Sequence, residues 1–286
     1  MPLMTTEKML KAASENGYAI AAFNCENMEM IQAVIKAGEE LKAPLILQTT
    51  PSTVRYASVE LFAANAEAAA KKSSVPVALH LDHGDSHRLV QDALAAGYTS
   101  IMIDGSAKPL DENIAFTKKA AELCLKAGIP IEGELGRVGG KEDDTESEGS
   151  GYTDPDEAVR FVKETGISSL AIGVGTAHGI YSENPVLNPQ LISVLKGLLP
   201  IPLVLHGASG LDDAVVQDCI SRGISKVNIA TDLRVAYTQA VREYLNKDPG
   251  CIDPKKFGVA AREAVMKVAM NRIMVCGCQK RAASLI

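Results

Sequence analysis

The chain has 286 residues, of which 47% are hydrophobic and 22% are charged, and its formal net charge is −6. This length is sufficient for one globular domain of barrel size, and the acidic balance without a basic face argues against nucleic acid as a partner. Aromatic residues are only 4% of the chain and tryptophan is absent, so an aromatic platform for carbohydrate is not expected either.

The six cysteines are scattered along the chain and include no Cys-x-x-Cys pair. In a chain of this length, that pattern is typical of reduced thiols in the cytosol. The first residues lack the apolar segment of a signal peptide, and no apolar run approaches the length of a membrane span. We therefore expect a cytoplasmic protein without a membrane partner.

Strand-like and helix-like segments alternate along the whole chain. Short apolar runs predict strands at 18–23, 44–50, 75–83, 99–105, 129–135, 168–175, 201–206 and 224–230. Amphipathic stretches between them predict helices at about 27–42, 58–73, 86–96, 111–127, 155–165, 188–198, 212–222 and 232–246. Asp154 before Pro155 is typical of a helix start, and Gly128 and Gly166 are typical of helix ends.

This alternation predicts an α/β protein, a (β/α)8 TIM barrel that forms a single domain over residues 1–286. We expect an N-terminal entry helix within 1–17 and an extra C-terminal helix at 257–275. An open doubly wound sheet is the alternative. Residues 136–153 follow the fifth strand and are rich in Gly, Asp, Glu and Ser, which predicts a mobile active-site loop that belongs to neither element type.

Polar residues stand at the end of every predicted strand. In a (β/α)8 barrel the chemistry lies at the C-terminal ends of the strands, so these side chains are expected to surround one site. They are Asn24, Thr50, Asp82, His83, Asp104, Glu134, His178, His206, Asn228 and Thr231.

Three of these residues, His83, His178 and His206, each precede a glycine. Three imidazoles with one open position suit a catalytic Zn²⁺ ion. The alternative is that each histidine is hydrogen-bonded separately at its strand end. Asp104 and Glu134 are interpreted as outer ligands, as a second metal position, or as acceptors for a ligand histidine.

Asp82 is a candidate general acid/base because it adjoins a predicted metal ligand. Its alternative role is to orient one of the histidines. Lys226 shares a strand face with Asn228, and a simple interpretation is that it is buried and paired with Glu132 or Glu134.

A glycine-rich turn follows the seventh predicted strand and a polar turn follows the eighth, and barrels often bind phosphate between these two loops through backbone N–H groups and a helix N-terminus. The residues concerned are Gly207, Ala208 and Ser209 in the first turn, and Asn228, Ile229, Ala230 and Thr231 in the second. The hydroxyls of Ser209 and Thr231 would add donors.

Taken together, the motifs resemble those of the zinc-dependent class II ketose-bisphosphate aldolases, in family order and over essentially the whole chain. They are Ala22-Phe-Asn24, His80-Leu-Asp-His83, Met102-Ile-Asp104, Glu134-Leu-Gly136, Gly139-Gly-Lys-Glu-Asp143, Gly175-Thr-Ala-His-Gly179, Leu205-His-Gly-Ala-Ser-Gly210 and Lys226-Val-Asn-Ile-Ala-Thr231.

The resemblance implies reversible aldol cleavage of a ketose 1,6-bisphosphate to dihydroxyacetone phosphate and glyceraldehyde 3-phosphate. It implies that the three histidines hold Zn²⁺ and that Asp82 exchanges the C4 hydroxyl proton. Glu142 would exchange the C3 proton of dihydroxyacetone phosphate, and Asn228 would hydrogen-bond the enediolate. Asp104 and Glu134 match an alternative metal position.

The resemblance also implies the substrate contacts and the assembly. Residues of the C1-phosphate site would be Gly179, Gly207, Ala208, Ser209, Ile229, Ala230 and Thr231, beside a monovalent cation, Na⁺ or K⁺; Asn24 and Thr50 would lie near the substrate. A homodimer or homotetramer is expected, and a separate stabilising subunit is compatible with the family.

The Gly175–Gly179 motif and the Ala-Phe-Asn opening favour tagatose 1,6-bisphosphate as the sugar. Fructose 1,6-bisphosphate and other phosphorylated ketoses, inositol- or sulfosugar-derived, are the alternatives. Candidate contacts for the far end of the substrate are Gln48, Arg55 and, from a neighbouring subunit, Lys255, Lys256 and Arg262.

Three other functions are alternatives to the predicted zinc-dependent aldolase. One is a Schiff-base aldolase that uses Lys226 or Lys108, the second is a metal-dependent hydrolase, and the third is a non-enzymatic protein that binds metal or sugar phosphate.

Overall fold

The structure is a computed structural model that describes residues 2–142, 145–147, 151–179 and 185–285, with the side chains of 141, 142 and 145–147 excepted. Its strands are β1 Ile20–Asn24, β2 Leu45–Thr49, β3 Val77–Gly84, β4 Ser100–Ile103, β5 Ile131–Leu135, β6 Gly139–Glu142, β7 Thr145–Ser147, β8 Ser169–Ile172, β9 Ala177–His178, β10 Leu203–Leu205 and β11 Ile224–Ile229.

Eight parallel strands close into a barrel in the order β1-β11-β10-β8-β5-β4-β3-β2. This confirms the predicted (β/α)8 barrel and rules out the open sheet. Each of these eight strands corresponds to one predicted run. They are buried on both faces because helices cover the outside and side chains fill the inside.

Helices α1 to α11 surround the barrel in the described part of the chain. They are α1 Thr6–Asn16, α2 Met28–Leu41, α3 Pro51–Ala57, α4 Val59–Lys72, α5 His87–Ala95, α6 Leu110–Ala127, α7 Pro155–Thr165, α8 Pro189–Leu198, α9 Asp213–Ser221, α10 Thr231–Lys247 and α11 Pro254–Val275, before a short 3-10 turn at Ala282–Ser284. None of them combines the length and apolar character needed to cross a bilayer.

The helix ends follow the sequence signals. The Asp154 side chain accepts hydrogen bonds from the backbone N–H groups of Asp156 and Glu157, and so caps α7. Gly128 and Gly166 end their helices in the left-handed conformation, which glycine adopts without steric cost. The strand-to-helix transitions therefore lie close to the predicted positions.

The two appended helices have different positions. Helix α1 closes the amino end of the barrel, where Thr6 Oγ1 lies 2.9 Å from Ser100 Oγ in β4. Helix α11 packs on α2 and α10 at the outside, and it begins at Pro254, three residues before the predicted start. Both were predicted from the sequence.

Two segments differ from the prediction. Helix α3 was not predicted; it begins after Thr50, whose hydroxyl caps it by accepting from the Thr53 N–H. Residues 136–153 were predicted to lack regular structure, but β6 and β7 form a hairpin there, and β6 pairs with β9. The pairing needs Gly140, because a Cβ there would lie 2.3 Å from the His178 carbonyl oxygen.

Candidate active site

Three histidines from separate parts of the chain meet at the carboxyl end of the barrel. The ring centroid of His83 lies 5.2 Å from that of His178 and 4.7 Å from that of His206. One nitrogen from each ring lies within 4.8 Å of those of the other two. The tertiary structure thus brings together the three imidazoles that the sequence singled out.

The backbone of His83 is unusual and decides where its ring points. Strict alternation along β3 would place Asp82 and His83 on opposite faces. Instead, His83 has a left-handed φ of 48°, and the register between β3 and β4 shifts between Leu81 and Gly84. This local irregularity allows both side chains to reach the same site.

Carboxylates orient two of the rings. His83 Nδ1 lies 2.7 Å from Asp104 Oδ2, and His206 Nε2 lies 3.1 Å from Glu132 Oε1. An ionised carboxylate only accepts, so a proton on each of these two nitrogens would complete both hydrogen bonds. Burial alone would raise the pKa of Asp104, but the hydrogen bond and charge of His83 outweigh it and hold that pKa below its ordinary value.

The two remaining nitrogens, His83 Nε2 and His206 Nδ1, face each other at 3.0 Å. A proton on His206 Nδ1 would make this contact a hydrogen bond; with the protons on the far side of both rings, the two nitrogens instead present lone pairs to a cation. Three imidazoles are also the donor set of a catalytic zinc site. The residues present therefore fit a zinc ion.

A second possible cation position shares His83 with Asp104 and Glu134. Glu134 Oε2 lies 3.5 Å from His206 Nδ1 and 3.9 Å from His83 Nδ1. The two carboxylates therefore line the same centre from the β4 and β5 side.

Asp82 is fully buried beside this centre, and two asparagines hold it. Asn24 Nδ2 donates to Oδ2 at 2.8 Å, and Asn228 Nδ2 donates to Oδ1 at 3.0 Å. Gln48 in turn donates to Asn24 Oδ1 at 2.9 Å. The buried Asn228 Oδ1 has no hydrogen-bond partner among the described residues, which leaves an acceptor for a ligand.

Below the site, a buried polar column runs through the barrel. Lys226 Nζ lies 2.9 Å from Glu132 Oε2 and 3.3 Å from His80 Nε2, and His80 Nδ1 lies 2.7 Å from Ser100 Oγ. Burial, and then the Lys226 charge, lower the pKa of His80 to about 3. Lys226 is thus paired with Glu132, as the simple interpretation of the sequence has it.

The turns after β10 and β11 border a small cavity next to His178. It is lined by Gly179, Gly207, Ser209, Asn228, Ala230 and Thr231. Ser209 Oγ joins the two turns by accepting from the Ala230 N–H at 3.3 Å. Ala208 and Ile229 have buried side chains, so only their backbone groups are available to a ligand.

Arg234 lines the same cavity, and the sequence reasoning missed it. Its Nε donates to Glu26 Oε1 at 2.8 Å, and the Thr53 hydroxyl donates to Glu26 Oε2 at 2.8 Å. The available signal was a basic residue in the first turn of α10, where acidic residues are usual. Arg234 adds a positive charge to the N-terminus of this helix.

A second cavity, of about 270 Å³, opens on the other side of His83. Thr50, Ser52, Arg55 and Asp85 line it, and Arg55 Nη1 lies 3.5 Å from Asp85 Oδ2. Arg55 is the one arginine or lysine that lines this cavity in the part of the chain that the structure describes.

Other sequence candidates lie elsewhere. Lys108 Nζ stands 5.1 Å from the centroid of the Phe116 ring, and neither Lys255 nor Arg262 lines either cavity. Arg262 instead donates to Gln32 at 2.6 Å between α11 and α2. The Glu142 side chain lies outside the described residues.

Gly207 is expected to tolerate no side chain. Its φ is +67°, and a Cβ would lie 2.6 Å from the Ala177 carbonyl oxygen. We expect Gly207→Ala to lower the free energy of unfolding by about 2 kcal/mol, measured by denaturant titration. The control is Gly197→Ala in α8, where nothing lies within 4 Å and about 0.5–1 kcal/mol should be gained. Equal stability of the two variants would refute this interpretation.

Fold and site together define a (β/α)8 barrel with three histidines that could hold a metal ion at the carboxyl ends of its strands. The family model described as fructose-bisphosphate aldolase class-II matches residues 4–281, so the chain belongs to that family. It is therefore a class II aldolase, a carbon–carbon lyase of ketose bisphosphates. This excludes the Schiff-base, hydrolase and non-enzymatic alternatives. Enzymes of this family are generally zinc-dependent and commonly oligomeric.

Solved structures agree with the assignment. The YdjI aldolase from Escherichia coli K12 is 37% identical over 98% of this chain and 99% of its own, with a TM-score of 0.87. A Coccidioides immitis protein proposed to be a fructose-1,6-bisphosphate aldolase is 28% identical over 96% of this chain and 97% of its own, with a TM-score of 0.89. The fructose-bisphosphate aldolase of Campylobacter jejuni, at 24% identity over 97% of this chain and 96% of its own and a TM-score of 0.82, supports the fold alone.

Proposed function

We propose that this aldolase cleaves tagatose 1,6-bisphosphate to dihydroxyacetone phosphate and glyceraldehyde 3-phosphate, with Zn²⁺ held by His83, His178 and His206. The observation that supports the zinc site is the convergence of three imidazoles, each with a ring nitrogen within 4.8 Å of the other two. The Gly175-Thr-Ala-His-Gly179 motif and the Ala22-Phe-Asn24 opening favour tagatose. The description of the matching family, fructose-bisphosphate aldolase class-II, keeps fructose 1,6-bisphosphate as the alternative, and other phosphorylated ketoses follow it.

When bound, zinc would polarise the substrate carbonyl and stabilise the negative charge that develops as the carbon–carbon bond breaks. Asp104 orients His83 for this purpose, because its carboxylate fixes the proton on Nδ1. Asp104 and Glu134 also offer the alternative metal position that shares His83.

Asp82 accepts the proton of the C4 hydroxyl in cleavage and returns it in condensation. Asn24 and Asn228 hold its two oxygens in place, so the carboxylate is oriented before substrate arrives. The Oδ1 atom of Asn228 remains to accept from a substrate hydroxyl. We assign exchange of the C3 proton to Glu142, the last residue of β6.

The C1 phosphate binds in the cavity next to His178. Backbone N–H groups of Gly179, Gly207 and Ser209, the Thr231 hydroxyl and the N-terminus of α10 all suit an anion. Arg234 adds a charge-assisted donor on the same side. A monovalent cation, Na⁺ or K⁺, completes this part of the proposed site.

The far end of the substrate extends into the 270 Å³ cavity, toward Arg55. Replacing Arg55 with alanine is expected to raise KM for the ketose 1,6-bisphosphate about tenfold, because one charge-assisted hydrogen bond is lost. KM for the corresponding ketose 1-phosphate, which lacks the far phosphate, should not change. Steady-state kinetics with both substrates tests this.

The matched control is Arg88→Ala. Arg88 is exposed on α5 and pairs with Asp92 one turn away, so its loss should affect neither substrate. An equal rise in KM for the two substrates in the Arg55 variant would place the far phosphate elsewhere. Lys255, Lys256 and Arg262 of a neighbouring subunit are then the remaining candidates.

The choice of sugar is tested by comparing kcat/KM for tagatose and fructose 1,6-bisphosphates, with several other phosphorylated ketoses as a wider panel. The two sugars differ only in configuration at C4, next to the position assigned to Asp82. A higher kcat/KM for the fructose compound would reverse the proposed order.

Light scattering tests the proposed homodimer or homotetramer, and a single unfolding transition tests the single domain.

A further inference from the structure

His206 Nε2 has two polar neighbours, one that accepts a hydrogen bond and one that donates. It lies 3.1 Å from Glu132 Oε1 and 3.1 Å from Asn228 Nδ2. The carboxylate only accepts a hydrogen bond, whereas the amide nitrogen only donates one. Nε2 can therefore satisfy one of them, and the choice decides which tautomer His206 adopts.

The two tautomers differ in their ability to bind metal. If Nε2–H donates to Glu132, Nδ1 keeps its lone pair on the side that faces His83 Nε2 at 3.0 Å. If Nε2 instead accepts from Asn228, the proton lies on Nδ1, and that nitrogen cannot coordinate a cation. The Asn228 NH2 group carries two hydrogens, so its hydrogen bond to Asp82 Oδ1 is available with either tautomer.

Lys226 favours the first tautomer. Its ammonium is fully buried, and it lies 2.9 Å from Glu132 Oε2, on the opposite oxygen from the one that meets His206. The ammonium donates a charge-assisted hydrogen bond to that oxygen. It also fixes the rotation of the carboxylate, so that Oε1 points at the ring.

We propose that Lys226 is a positioning residue for the metal ligand His206: acting through Glu132, it holds the imidazole with Nε2 protonated and Nδ1 available to the metal. This inference rests on the proposed zinc site. Lys226 is linked to the His206 ring through two contacts, from Lys226 to Glu132 and from Glu132 to His206 Nε2.

The test replaces Glu132 with glutamine, whose amide has one accepting oxygen and one donating NH2 group. In Glu132→Gln, Lys226 still demands an oxygen, so the amide oxygen turns to Lys226 and the NH2 group turns to His206. Nε2 must then accept, and Nδ1 takes the proton. We expect zinc affinity, measured by competition with a chromophoric chelator, to fall about ten- to a hundredfold. Nitrogen-15 shifts of labelled histidine in the metal-free protein should show His206 with Nδ1 protonated.

Adding Lys226→Met to this variant should reverse the effect. Without the ammonium, the amide can rotate so that its oxygen accepts from His206 Nε2–H, and most of the zinc affinity should return. Lys226→Met alone leaves Glu132 without its counter-charge and should weaken zinc binding as well. A purely structural role for Lys226 would make the double variant worse than either single one.

Ser100→Ala provides the matched control. It removes the hydrogen bond to His80 at the other end of the polar column and leaves Glu132 and Lys226 in contact, so zinc affinity should stay within about twofold of the wild type. Unchanged zinc affinity and an Nε2-protonated His206 in Glu132→Gln would overturn the proposal, as would a double variant without recovery. Failure of the proposed zinc site itself would be a separate result: His206→Ala would then bind zinc as tightly as the wild type.

Discussion

Replacing His206 with alanine should remove most of the zinc from the purified protein and lower kcat/KM by about three decades or more. Metal-ion stabilisation of developing charge contributes several kcal/mol to catalysis, and each 1.36 kcal/mol is one decade in rate. The effect is expected to be this large because His206 is fully buried between His83 and Glu132, so its loss leaves the proposed site with two imidazoles. Elemental analysis and steady-state kinetics measure the two quantities.

The control for this experiment is His87→Ala. His87 Nε2 lies 2.9 Å from the Phe116 carbonyl oxygen, between α5 and α6, and the residue is outside the three-histidine cluster. Its loss should leave zinc content and kcat unchanged. Full zinc occupancy in the His206 variant would remove this residue from the ligand set.

Replacing Asp82 with asparagine should have the second largest effect. Loss of a general acid/base lowers kcat by about 10²- to 10⁴-fold, and zinc content should not change. The C3 proton of dihydroxyacetone phosphate is assigned to a different group, so its exchange with deuterium from solvent should continue in this variant. Nuclear magnetic resonance of the product in deuterated water measures that exchange.

The comparison for Asp82 is Asp92→Asn, because Asp92 is partly exposed on α5 and pairs only with Arg88 among its described contacts. A kcat for the Asp82 variant within threefold of this control would exclude Asp82 from proton transfer. Loss of zinc together with kcat would instead make Asp82 a support for the metal ligands.

The polar residues at the strand ends were the most informative part of the sequence. In a closed parallel barrel the last residues of every strand lie at the same end of the barrel. For this reason, His83, His178 and His206 could be grouped from their positions alone, although they are separated by many residues along the chain. The same logic led to the turns after β10 and β11, which line one cavity in the structure.

Features that depend on contacts between distant segments were not predictable. The hairpin of β6 and β7 is rich in Gly, Asp and Glu, and only its pairing with β9 makes it regular. In the sequence, Arg234 is an ordinary helix residue; its contact with Glu26 and its position at the cavity next to His178 depend on the tertiary structure. Helix α3 is shorter than the window over which apolar periodicity can be recognised.

The sequence by itself determined the (β/α)8 barrel, the rim on which the chemistry lies and the identity of the candidate ligands, because these follow from local periodicity and from which residues end each strand. Only the tertiary structure decided how those residues are used. The left-handed backbone of His83 brings it to the same site as Asp82, and Glu132 contacts both Lys226 and His206. Both depend on hydrogen bonds and charges across the barrel, and a linear pattern of residues carries no record of those distances.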